Sequence, residues 1–161
     1  MDKGSYGRRD RLIVEKEHDT YREAKKWPEG TVCTVCGAVF TGGRWSWKDA
    51  PVQANEVICP ACRRIKDKYP AGFLEINGSF FAQHREEILG LLNNEEKIEK
   101  EEHPMERIMA IEKDGEKTMV TTTGIHIARR LGEALVHAYQ GDLSITYGDG
   151  EKTIRVVWQR D

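Results

Sequence analysis

The sequence predicts an α+β fold: a small cysteine module near the N-terminus, then a ββαββ unit with a helix on one face of an antiparallel sheet. Three observations carry this. Four cysteines, the full complement of the 161-residue chain, fall in two C-x2-C pairs at Cys33/Cys36 and Cys59/Cys62. Residues 105–161 alternate apolar and polar residues in four runs, with a helix-period stretch between the second and third. An almost purely charged segment, NNEEKIEKEEHP, read as a solvated helix end or a linker, closes the region between the cysteines and that unit.

Residues 1–30 read as a flexible polar arm or a short helix over roughly 9–25 that orders on a partner. Large apolar groups are sparse there (Tyr6, Leu12, Ile13, Tyr21, Trp27), too few for a core. Residues 31–70 form the cysteine module. The 22 residues between the pairs fit a treble-clef or zinc-ribbon module. Two sulfurs three positions apart bind one ion when a tight turn brings backbone amides round behind them. Gly37 sits where that turn wants an unusual backbone angle, and Pro60 is expected to stiffen the second turn. The expected cofactor is one structural Zn2+ held by Cys33, Cys36, Cys59 and Cys62. Ligation would contribute on the order of 10 kcal/mol to folding. An iron site of the rubredoxin kind uses similar spacing, and a dithiol redox pair is the further alternative.

Residues 71–104 read as a strand–helix connector: FLEI as a short strand, then a helix ending in the charged tail at Pro104. Residues 105–161 supply the last unit. Asp114-Gly115 marks one hairpin and Gly148-Asp149-Gly150 a second. Between them IHIARRLGEALVHAYQG places Ile127, Leu131, Leu135 and Ala138 on one helix face, with Gly141 as the stop. Leu143, Ile145, Ile154, Val156 and Trp158 match that face from the sheet.

Charge narrows the function. The net charge is −2, but residues 31–70 carry +3 and residues 71–106 carry −6. A neutral chain is no indiscriminate polycation, yet it has room for a local basic site. Arg44 and Lys48 flank Trp45 and Trp47 in GGRWSWKDAP, and Arg63, Arg64, Lys66 and Lys68 follow the second cysteine pair. With Arg8, Arg9 and Arg11 of the arm they form a candidate RNA-facing patch. The two indoles serve either as stacking platforms for RNA or as the core of the module. Thr122 and Thr123 run through Gly124 into a helix bearing His126, Arg129 and Arg130. Free amides and these side chains are a candidate phosphate contact, and an ordinary capped helix is the alternative.

Enzyme chemistry is not expected. Four thiolates close a tetrahedral shell, and the sequence has neither a Walker loop nor H-E-x-x-H. No apolar run approaches 18 residues and the N-terminus has no apolar leader core, so neither a membrane span nor a secretory signal is expected. A cytoplasmic location follows as the default.

MDKGSYGRRDRL, GGRWSW, CPACRRI, YPAG, HPMERI, TTGIHIARRLGEAL and YQGDLS together resemble a small bacterial zinc-ribbon family. More distantly, cysteine pairs followed by T-T-x-x-H-x-A-R-x-L resemble the Nmd-three family, the adaptor for export and maturation of the large ribosomal subunit. The resemblance implies zinc on the four cysteines, a ribosome-facing role for the His126–Arg130 stretch and no enzymatic activity. Those relatives carry more cysteine pairs than the two present here, and ribosome docking rather than export is the part that transfers. The expected function is a zinc-ribbon protein that binds structured RNA in ribosome maturation, quality control or dormancy. Its partners would be ribosomal RNA or a ribosomal subunit, with ribosomal proteins as further contacts, and neither a membrane nor a small-molecule substrate. A protein–protein adaptor is the alternative.

Overall fold

The computed structural model describes residues 27–148 and 150–161. The N-terminal arm to residue 26, with Arg8, Arg9 and Arg11, lies outside the described residues. Two mixed sheets and four helices make up those described.

The cysteine module comes first. Its strands are β1 (Thr31–Cys33), β2 (Val39–Thr41), β3 (Arg44–Ser46) and β4 (Glu56–Val57). They pair in the order β3-β2-β1-β4, with β4 parallel to β1 through Val32↔Glu56. Helix α1 (Pro60–Asp67) follows. Strands this short cannot supply a large apolar core. Its buried cluster is Cys33, Cys59, Ala61 and Cys62, with Trp45, Ile58 and Met105 packed against it. Trp45 stands edge-on to Phe40 and to Trp27, with ring centroids 5.5 and 6.0 Å away.

The larger unit adds β5 (Gly72–Asn77), α2 (Ser79–Gln83), α3 (Arg85–Glu102), β6 (Ile108–Asp114), β7 (Lys117–Thr122), α4 (Ile125–Tyr139), β8 (Asp142–Gly148) and β9 (Thr153–Gln159). The α+β class and the two hairpins match the sequence reading. The sheet differs in one respect. It has five strands in the order β6-β7-β5-β9-β8, because FLEI enters its centre. There β5 runs antiparallel to β7 (Leu74↔Val120) and parallel to β9 (Leu74↔Val156), so the sheet is mixed. The cause is burial: Leu74 and Ile76 are fully buried, and only a central strand gives both a packed face and two hydrogen-bonding neighbours.

Helix α4 covers one face of this sheet with Ile127, Ala128, Leu131 and Leu135, against Ile154, Val156 and Trp158. Ala138, expected on that face, is exposed, and Ala128 takes its place. Helix α3 packs on α4 and buries Ile88 and Leu92, which draws the charged segment into the same body as the sheet. Among the described residues no helix is long and apolar enough to cross a membrane.

Candidate metal centre

The two cysteine pairs reach one point by different local structures. The first is a knuckle. After β1 the chain turns back at Gly37, whose φ of 84° lies in the left-handed region that favours glycine. The Gly37 N–H donates to the Cys33 carbonyl at 3.0 Å and the Cys33 N–H to the Ala38 carbonyl at 2.8 Å. The second pair does not sit on a turn, as the sequence reading expected. Cys59 is the N-cap of α1, Pro60 is its first residue, and Cys62 lies in its first turn. Proline suits that position, where the missing N–H has no partner to lose. The Cys62 N–H donates to Cys59 Sγ at 3.4 Å, and a helix N-terminus favours the thiolate. Knuckle, hairpin, then helix is the treble-clef order rather than a pair of matching knuckles.

The four Sγ atoms lie within 4.8 Å of one another. Cys36 and Cys59 Sγ are 3.9 Å apart. A disulfide needs about 2.05 Å, whereas a tetrahedral ion with sulfur bonds of about 2.3 Å sets its sulfurs about 3.8 Å apart. The cluster fits a metal ion and not a disulfide. Backbone amides of Val35 and Cys59 donate to Cys33 Sγ at 3.4 and 3.3 Å. Burial opposes ionisation of Cys33, and amides from Cys36, Cys59 and Val35 outweigh it and lower its pKa. A hydrogen bond from the Cys59 thiol, then the Ala38 amide and Arg107, pull Cys36 down to about 4 against its burial. Cys59, donor in that pair and buried, is pushed up, and burial pushes Cys62 up. Closing a metal on the set therefore releases protons. With four sulfurs in the shell no position is left open for a reacting water, so the site suits a structural ion.

One residue of the centre was missed by sequence reasoning. Arg107, only 6% exposed, reaches the sulfurs from the larger unit. Its Nη2 lies 3.0 Å from Cys36 Sγ and 3.7 Å from Cys59 Sγ, and its Nη1 lies 3.2 Å from Cys62 Sγ. Its Nε donates to the Pro104 carbonyl at 2.7 Å. Burial works against its charge, and the hydrogen bond to Cys62 and the charges of Cys36 and Cys59 more than restore it, so its pKa is raised. No cysteine-like spacing marks an arginine 71 positions beyond Cys36.

The Thr-Thr-Gly segment serves this arginine. Thr123 is buried; its N–H donates to the Arg107 carbonyl at 2.9 Å and its Oγ1 accepts from the Arg107 N–H at 2.8 Å. Thr122 is also buried and donates to the Gly124 carbonyl at 2.8 Å. The start of α4, offered by the sequence to a phosphate, faces a carboxylate of the chain itself. Glu106 Oε1 accepts from the Ile127 N–H at 3.0 Å, and a Cβ on Gly124 would collide with that carboxylate. Burial raises the Glu106 pKa, against the pull of the Ile127 N–H.

The remaining candidates divide. Arg129 donates to Glu133 and Tyr147 at 3.0 and 2.9 Å, and Arg130 to Glu95 and Glu99 at 2.7 Å each. His126 is exposed at the rim of a cleft of about 1080 Å³ between the cysteine module and the larger unit, lined also by Trp45, Arg64, Met105 and Glu106. Arg64 is 3% exposed and donates to the Tyr69 carbonyl at 2.9 Å, which removes it from any outward patch. Arg44, Lys48, Arg63, Lys66 and Lys68 are exposed, all on the cysteine module. Trp47 is a junction residue: its indole N–H donates to the Lys100 carbonyl of α3 at 2.8 Å.

Fold and site define an α+β protein with a metal-binding four-cysteine module. No family model matches the chain, and no curated protein or solved structure matches it significantly.

Proposed function

We propose that this chain is a zinc-stabilised docking protein, without catalysis, whose cysteine module engages structured RNA. The metal is Zn2+: four cysteine sulfurs within 4.8 Å of one another, with no imidazole or carboxylate among them, suit that ion. One observation carries the partner. Five exposed cations (Arg44, Lys48, Arg63, Lys66, Lys68) stand on the cysteine module beside exposed Tyr69 and Ile65, while the acidic excess lies beyond residue 70. Exposed cations with an exposed tyrosine beside them match phosphate and base contact. The resemblance to the ribosomal adaptor family directs the choice of RNA, and ribosomal RNA or a ribosomal subunit is the partner to test first. The phosphate contact assigned to Thr122, Thr123, Arg129 and Arg130 is not carried into this proposal, since those groups are engaged within the chain.

The test is co-sedimentation of the full chain with purified ribosomal subunits at low and at roughly fourfold higher salt. Binding that weakens with salt is expected. Arg63→Glu with Lys66→Glu should weaken it and flatten the slope of log affinity against log salt by about 1 to 2. Arg129→Ala should change neither. Unchanged affinity in the double variant would overturn the patch.

A protein partner is the second reading, favoured by Val35 and Val52, which are 66% and 100% exposed on the same module. Association that survives both ribonuclease and salt would support it over RNA.

A further inference from the structure

We infer that Arg107 is the built-in counter-charge of the metal centre and that, through it, metal occupancy latches the cysteine module onto the larger unit. The inference rests on the metal-binding reading of the four cysteines and adds a regulatory consequence to it.

Arg107 belongs to the larger unit by its backbone. It directly precedes β6, and Thr123, just after β7, holds both its N–H and its carbonyl. Its side chain belongs to the metal centre, with two nitrogens on three sulfurs. A divalent ion with four thiolates carries a net charge of about −2 in a small volume. Burying such a centre against another unit is unfavourable unless positive charge meets it. A guanidinium supplies that charge as a flat fork reaching several sulfurs at once, which an ammonium cannot do from one point. Its N–H groups also draw electron density from the thiolates and fix their positions.

The coupling runs both ways, as any linkage between two sites must. If Arg107 stabilises the loaded centre, the loaded centre stabilises the seat of Arg107. Loss of the ion would remove the charged centre that this buried guanidinium faces. The rest of the seam lies close by. The Trp47 ring stands 6.0 Å from the Arg107 guanidinium and is tied to the end of α3 through Lys100. Met105 packs on the cysteine cluster. Release of Arg107 would therefore free the module edge and open the cleft bounded by Trp45, Arg64 and Glu106.

The experiment compares the full wild-type chain with Arg107→Met, Arg107→Lys and Thr123→Val. Zn2+ affinity is read by competition with a chromophoric chelator, and hydrogen exchange is read at the seam (Glu106 and Thr123 amides) and in the sheet (Leu74 and Val156 amides). R107M should bind Zn2+ about 10- to 100-fold more weakly. Its seam amides should exchange faster even at saturating Zn2+, with the sheet amides unchanged. R107K should fall between R107M and wild type. T123V touches no sulfur, so a loss of Zn2+ affinity there reports the seating of Arg107; should R107M fail to fold, R107K and T123V decide. Wild-type affinity and wild-type seam exchange in the folded Arg107 variants would overturn the latch. A wild-type chain that binds no metal would overturn the metal reading itself, and the latch with it.

Discussion

The two halves of this chain are held together by different forces. The larger unit buries 13 apolar side chains in one cluster, from Leu74 to Trp158, between a five-stranded sheet and three helices. The buried cluster of the cysteine module holds four, three of them cysteines, and Ala38 and Val39 are its other buried apolar groups. A sheet with that many buried groups is stable through area removed from water. A module of two- and three-residue strands is not, and coordination by its four clustered cysteines would take the place of a core. Arg107 is where the two meet: it is rooted by Thr123 in one and aimed at sulfurs in the other.

The largest effect should come from the metal ligands. Cys59→Ser, or chelation of the wild type, removes a contribution on the order of 10 kcal/mol. Amides of β1 to β4 should lose protection, while those of β5 and β9 keep theirs. Protection of β1 to β4 in the metal-free protein would break the comparison, because the module would then have a sufficient core of its own.

Next in size is the reverse experiment. Leu131→Ala, at a fully buried position of α4, should cost about 2 to 5 kcal/mol in chemical denaturation. Zn2+ stoichiometry should stay at one. A loss of metal binding in L131A would mean that the module depends on the sheet for more than the seam at Arg107.

What was legible in the sequence follows the same division. The ligand set could be read because its information is local: two sulfurs three positions apart, with Gly37 after one pair and Pro60 inside the other. The hairpin at Asp114-Gly115 and the apolar stripe of α4 were readable for the same reason. The place of β5 was not. FLEI announces a strand, but nothing near it says that Leu74 will pair with Val120 on one side and Val156 on the other, and such pairings are set by the shared core. Arg107 was hidden likewise, 45 positions from Cys62. Charge composition could not separate Arg63 from Arg64. On α1 adjacent residues point about 100° apart, which leaves one exposed and turns the other inward to the Tyr69 carbonyl.

The smallest effect sharpens the comparison at the start of α4, where a charge rather than a contact is at issue. Glu106 caps the helix through Ile127, yet its pKa is raised, so burial outweighs the helix end and the carboxylate is less welcome there than in water. The sign follows from linkage. A carboxyl whose folded pKa lies above its unfolded value takes up a proton on folding between the two. Its contribution is most favourable below the unfolded carboxyl range and is lost as pH rises through the folded value. Glu106→Gln keeps an oxygen for the Ile127 N–H and cannot ionise. Stability of E106Q relative to wild type should therefore rise with pH from the ordinary carboxyl range toward neutrality. Measuring both proteins at each pH cancels the acid sensitivity of the thiolates, which they share. The expected difference is at most about 1 kcal/mol, the scale of one charge at a helix end. A difference that runs the other way would make Glu106 a net stabilised anion, and the start of α4 would then be a site that favours negative charge.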